Sequence, residues 1–252
     1  SFPTRCSFDL GAVQSRDISV LAYYAQKRMI NFVSALSPSD GGVKDNPYFI
    51  LLQPTLQTHC SYLIDKVARK YRKKDIILYY RTSVGVDQNA YGSIIQDSDK
   101  VRFRKVLCNA MPTKAELAKL FDSTRPNVIV MATLETGYAE VLLKQLYQLF
   151  PKYKFEVFGM PSWKNMSSLR KPDAYPNVTV YVSSPFYYDI TTPIGQTMTR
   201  AYSQAFGGKP GELVFRAYET MFWYAYLLSR YGTIFNKHLS DNTAAPFTKF
   251  EI

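Results

Sequence analysis

A chain of 252 residues with 46% hydrophobic side chains holds enough apolar material for one large domain or two small ones, and it is not a disordered tail. Its 31 Lys and Arg against 20 Asp and Glu leave a net charge of +11. No nucleic-acid module accompanies that charge: the sequence has no paired Cys/His finger spacing, no Gly-aromatic string and no basic region running into heptads.

No apolar run approaches the ~18 to 20 residues that cross a bilayer, and the best, Met221 to Leu228, reads as a core helix. No transmembrane segment, nucleic-acid partner or cofactor is therefore expected. Cys6, Cys60 and Cys108 are too few and too scattered for a disulfide framework and read as buried free thiols, with a single bridge as the alternative.

Residues 1 to 10 carry no pattern, and Gly11 reads as a turn. A helix is predicted over Ile18 to Lys27, then a strand over Ile30 to Val33 that runs into the polar cluster Ser34 to Asp40. Asp40-Gly41-Gly42 and Asn46-Pro47 are turn signals before a strand over Tyr48 to Leu52. Thr58 to Tyr71 places Tyr62, Leu63, Val67 and Ala68 on one helix face, and Lys66 to Lys74 (KVARKYRKK) closes it, since cations favour a helix carboxyl end.

The middle of the chain alternates. Strands are predicted over Asp75 to Tyr80, Phe103 to Cys108, Asn127 to Ala132, Phe155 to Met160 and Asn177 to Val182, with helical stretches over Val86 to Gln96, Lys114 to Phe121, Thr136 to Phe150 and Ser162 to Leu169. That rhythm predicts right-handed βαβ units and a mainly parallel sheet.

The run Val128 to Ala132 is apolar on both faces, as in a buried parallel strand. The turn after it, Thr133 to Gly137, sits where open α/β sheets bind ligands, with Thr133 or Thr136 as the expected helix N-cap. Past the aromatic segment Ser183 to Asp189, helices are predicted over Thr192 to Phe206 and Leu213 to Tyr231, joined by the turn GGKPG. The aromatics of the second helix point to burial on more than one face.

Catalytic chemistry is not legible. The two histidines, His59 and His238, lack a nucleophile with an orienting group, and His59 and Cys60 adjoin in a helix where neighbouring side chains diverge. Ligand spacing for a metal is missing too. Glu135 stands at a strand end with no acid/base partner in view, so no enzyme is expected.

The order of GAVQSRD, INFVSALSPSDGG, NPYFILLQPTLQTH, IILYYR, VIVMATLETGYAEVLLKQL, FEVFGMPSWKN, NVTVYVSSPFYYD and AYSQAFGGKPGELVFRAYETMFWYAYLL resembles the type I periplasmic solute-binding proteins. Within that family it is most similar to the Leu/Ile/Val-binding proteins of ABC importers, over about residues 11 to 232. The resemblance implies two Rossmann-like lobes with mainly parallel sheets: lobe one at 1–52 plus 183–252, and lobe two at 53–182. The family carries further strand–helix units before the Gly11 position and strands after the point where this chain stops, so the first lobe is expected to be incomplete. Self-association through it is expected in turn.

The resemblance also implies a periplasmic or cell-envelope location in a bacterium, a small polar ligand such as an amino acid or related carboxylate, and an ABC-type permease as partner. Its pocket positions fall on Ser15, on Ser34 to Ser39 with Ser37 as the contact, and on Thr82, Ser83, Thr133, Glu135 and Trp163. Amino-acid binders place an acid after the FEVFGM-like strand, where this chain has Met160-Pro161-Ser162; Glu135 is the acid that would take its place. The alternative reading is an envelope module of the same fold that binds a wall polymer or a protein partner and no small ligand.

Overall fold

The computed structural model describes residues 9–11, 15–71, 76–171 and 173–249. The chain divides into two units, Ser1–Thr55 with Phe186–Ile252, and Leu56–Pro185. Both divisions fall slightly after the expected 52/53 and 182/183.

Unit 1 is built on a three-stranded parallel sheet of β1 (Asp9–Gly11), β2 (Phe32–Ser34) and β3 (Phe49–Leu51), in register Leu10–Val33–Ile50. The strand at 9–11 corrects the reading of that stretch as a patternless segment and a turn; three residues are too few to show a period of two. Alternation decides what each side of β2 meets. Phe32 packs with Ile18, Ala22 and Ala25 of α1 (Ser15–Arg28), a spacing of four and three that forms one helix stripe. Val33, on the other side, packs with Ile50 and with Trp223, Tyr224 and Leu227 of α7 (Glu212–Tyr231).

Helix α6 (Pro193–Phe206) begins with Pro193 after a Thr192 cap whose hydroxyl accepts the Gly195 N–H. It ends at Gly207, whose φ of 71° closes the helix in the left-handed region. GGKPG is thus the turn it was read as. Helix α7 buries Phe215, Trp223, Tyr224 and Leu227 but leaves Tyr218, Met221 and Phe222 exposed, so the expected burial on several faces is corrected to one stripe. The same buried stripe carries Arg216, Glu219 and Thr220.

Unit 2 holds a five-stranded parallel sheet in the order β5-β4-β6-β7-β8. The strands are β4 (Ile76–Tyr80), β5 (Phe103–Leu107), β6 (Asn127–Ala132), β7 (Phe155–Gly159) and β8 (Val178–Val182). Every residue of the central β6 is buried, as its two-sided apolar run requires, whereas the edge strands β5 and β8 are largely accessible.

Helices α2 (Leu56–Lys70), α3 (Gly85–Ile95), α4 (Lys114–Ala118) and α5 (Thr136–Leu149) connect and cover this sheet. Helix α4 is shorter than the expected 114–121 and is held by a reciprocal Thr113–Glu116 capping box. In place of a helix over 162–169 there are two 3-10 turns, Pro161–Asn165 and Ser167–Arg170. The basic run is only partly in view: Arg69 and Lys70 end α2, and residues 72–74 lie outside the described residues. No described helix is long and apolar enough to cross a membrane.

Candidate functional site

The strand order of unit 2 reverses beside β4, because the chain steps from β4 outward to β5 and then returns past β4 to β6. Loops leaving adjacent strands at such a point diverge to opposite faces of the sheet and open a crevice at the strand carboxyl ends. The loops after β4 and β6 are 81–84 and 133–135, which puts Thr82, Ser83, Thr133 and Glu135 on the two loops that flank this switch point.

The residue that organises the crevice is Arg81, which sequence reading passed over. Its guanidinium reaches the Asp87 carboxylate at 3.2 Å and that of Glu135 at 2.5 Å, and it lies 4.1 Å over the centre of the Tyr138 ring. Asp87 is fully buried and accepts two further bonds, from the Thr133 hydroxyl at 2.9 Å and the Leu134 N–H at 2.7 Å. The aspartate thus satisfies donors that open the loop into α5. This corrects the expected N-cap: Glu135 holds that place without a side-chain bond to the helix, and Thr133 is spent on Asp87. Glu135 is also no unpartnered helix-end acid, since it is paired with Arg81 while half of its side chain stays exposed.

Around this buried pair stands an exposed polar rim. Asn109, just past β5, accepts the N–H groups of Thr82 and Ser83 through Oδ1 at 2.8 and 3.2 Å and donates from Nδ2 to the Thr82 hydroxyl at 3.1 Å. The hydroxyls of Thr82 and Ser83, the Asn109 amide and the Glu135 carboxylate form a mixed donor and acceptor set. Tyr138 donates to the Cys108 carbonyl, and burial pushes its phenol up to about 12, so it stays a neutral donor.

Trp163 stands elsewhere than the crevice surface. It is fully buried, its indole N–H donates to the Thr133 carbonyl at 2.8 Å, and its ring fills the space that a side chain on Gly159 would need. Ser162 makes a parallel bond to the Leu134 carbonyl. Trp163 and Thr133 therefore tie the loop after β7 to the loop after β6, a supporting task and not a ligand-facing one. Met160, at the place of the amino-acid binders' acid, is buried as well.

In unit 1 Ser37 lies on the loop after β2. Its hydroxyl accepts the Ser39 N–H at 3.2 Å, and the Ser39 hydroxyl accepts the Gly41 N–H at 3.1 Å, so the loop is wound by its own hydroxyls. Arg216 anchors the loop from α7 by donating to the Ala35 carbonyl, and burial lowers its pKa. Ser15 opens helix α1. Its side chain lies outside the described residues.

His59 and Cys60 form no dyad: both are buried, His59 faces Ser183 at 2.8 Å, and burial pushes the Cys60 thiol up to about 12. Cys60 and Cys108 are free and buried, while Cys6 lies outside the described residues. No described group of His, Cys, Asp and Glu is arranged to hold a metal.

The fold has counterparts among solved structures. No family model and no curated protein sequence matches the chain. An ABC transporter substrate-binding protein from Desulfitobacterium hafniense, solved in complex with Leu, superposes with a TM-score of 0.60 at 15% identity, over 92% of this chain and 68% of that one. The fold is that of the ABC transporter substrate-binding proteins.

Two further solved structures agree with this fold. A leucine-binding protein from Thermotoga maritima gives a TM-score of 0.56 at 10% identity, over 91% of this chain and 66% of its own. A branched-chain amino acid transporter substrate-binding protein from Streptococcus pneumoniae, in complex with isoleucine, gives 0.53 at 14% identity, over 97% and 72%.

Proposed function

We propose that the chain is a non-enzymatic solute-binding protein of the bacterial cell envelope or periplasm that takes a small polar ligand, an amino acid or related carboxylate, and serves an ABC-type importer. The observation that carries this reading is the exposed rim of Thr82, Ser83, Asn109 and Glu135 over a buried Arg81–Asp87 pair, placed at the switch point of the unit 2 sheet. Such a rim offers hydroxyl and amide donors to a carboxylate and an acceptor, Glu135, to an ammonium. Because Met160 replaces the acid of the amino-acid binders, Glu135 is the group on which recognition of an ammonium depends.

Isothermal titration with pooled amino acids and small carboxylates tests the reading, repeated after Glu135→Ala and Ser37→Ala. Saturable heat that fades in either variant supports it. A folded protein that gives no heat with any pool overturns it.

A second reading, an envelope module of the same fold that binds a wall polymer or protein, is favoured by one feature: the rim satisfies itself, with Arg81 holding Glu135 and Asn109 holding the loop amides. Retention on a wall preparation that falls with added salt, without small-ligand heat, supports it.

A further inference from the structure

β8 is an edge strand: β7 pairs with one side of it, and among the described residues no strand pairs with the other. The parallel register and the bond from the Phe155 N–H to the Asn177 carbonyl direct residues 177, 179 and 181 toward β7. The backbone groups of Val180 and Val182, and the Val178 carbonyl, therefore point outward.

Exposed edges are ordinarily guarded by a charge or a proline on the strand, or by a bulge. β8 reads Val-Thr-Val-Tyr-Val, with none of these and with high strand propensity.

The ground on both sides of β8 is open and basic. A cavity of ≈ 600 Å³ runs along Val178, Val180 and Val182, with Lys164, Arg170 and Lys171 on its wall against one carboxylate, Asp173. A second, of ≈ 420 Å³, adjoins Thr179 and Tyr181, with Lys70, Lys152 and Lys154 against Glu156. Glu156 is already taken by Lys70 at 2.5 Å and by the Tyr71 hydroxyl, and its pKa is lowered. The cations thus come from segments beside the strand, and the strand itself is left free to pair.

We propose that β8 is a docking edge for an extended acidic peptide segment of a partner protein, which adds a strand to the unit 2 sheet. Main-chain bonds to Val180 and Val182 supply the pairing. Alternate side chains fall into the two cavities, apolar ones against the valines and acidic ones among the lysines. A second copy of the chain fits less well, because edge-to-edge pairing would bring the basic walls of both copies together. This site is separate from the switch-point crevice and stands independently of the solute-binding reading.

The test is fluorescence anisotropy of a labelled peptide of three Glu-Val repeats, blocked at both ends, against the intact protein in low salt. Expected is saturable binding that weakens with salt and is lost by the same peptide N-methylated at its valines. Val180→Pro removes one outward N–H at an edge position where proline is tolerated, and it should weaken binding by roughly tenfold or more. Should that variant fail to fold, the surface reversal Arg170→Glu with Lys171→Glu is expected to weaken binding without disturbing the fold.

Equal binding of the N-methylated peptide, or indifference to Val180→Pro in a folded protein, would overturn strand addition. No binding at all would also overturn it. Concentration-dependent dimerisation that Val180→Pro abolishes would overturn the choice of partner in favour of a second copy.

Discussion

The Arg81 guanidinium and the Asp87 carboxylate face each other at 3.2 Å in the interior of unit 2, and Asp87 also holds Thr133 and Leu134. Removing the carboxylate leaves Arg81 with Glu135 as its one carboxylate partner and takes the acceptor from the buried Thr133 hydroxyl and the half-buried Leu134 N–H. Asp87→Ala is therefore expected to cost on the order of 3 kcal/mol in urea unfolding. A loss below about 1 kcal/mol would mean that the loops after β4 and β6 hold their shape without it.

Glu135 answers differently, because half of its side chain is in solvent. Glu135→Ala is expected to change stability by less than about 1 kcal/mol while abolishing any ligand heat. The two measurements separate a recognition role from a structural one: unchanged ligand heat in a stably folded variant would remove Glu135 from the site.

Much of this arrangement was legible in the sequence, and the rest was hidden for definable reasons. β6 was readable to its ends, since the five-residue apolar run Val128 to Ala132 with a polar turn after it has few other meanings. That Thr82, Ser83 and Glu135 lie on loops at strand carboxyl ends was readable because the strands before them were. Arg81 and Asp87 were missed because their pairing depends on α3 folding back beside β4, and a lone Arg after a strand is ordinarily a solvated one. Trp163 was placed with the ligand-facing residues because nothing local shows that Gly159 leaves a hollow for its ring. β1 was missed because three residues carry no period, and its pairing with β2 is a tertiary fact.

A methyl group at Gly159 would lie 2.1 Å from the Trp163 ring. Gly159→Ala is expected to destabilise by about 2 to 3 kcal/mol and to move tryptophan fluorescence toward exposure, because the ring must leave its seat or push the strand end. A silent Gly159→Ala would contradict the close packing described for the loop after β7.

Glu219 gives a pH dependence of definite sign. It is fully buried on α7, accepts the N–H groups of Phe247 and Thr248, and burial raises its pKa. The folded state therefore holds a proton that the unfolded chain has released. This stability is present below the unfolded carboxylate pKa and is lost as pH rises through the folded one. Glu219→Gln should accordingly gain on the wild type as pH is raised through that window and stay level above it. A difference that is flat or falls with pH would contradict the assignment.

Burial pushes the Cys60 thiol up to about 12 and the Cys108 thiol up to about 11. In a Cys6→Ser variant neither should react with a disulfide reagent at mildly alkaline pH until the protein is unfolded. Rapid labelling of the native variant would show that α2 or the end of β5 opens locally.

The two units differ in how they are written along the chain. Unit 2 is a single continuous stretch, whereas unit 1 is assembled from residues on either side of it. During synthesis all the strands and helices of the five-stranded sheet leave the ribosome before α6 and α7, so unit 2 can complete its core while β2 and β3 still lack the Trp223 and Tyr224 that cover them. Closure of unit 1 then spans a folded insert instead of a loose coil, which lowers the entropy lost in joining its two parts. Folding of the chain is thus ordered by its layout, with the unit split along the chain last to form and first exposed to misassembly.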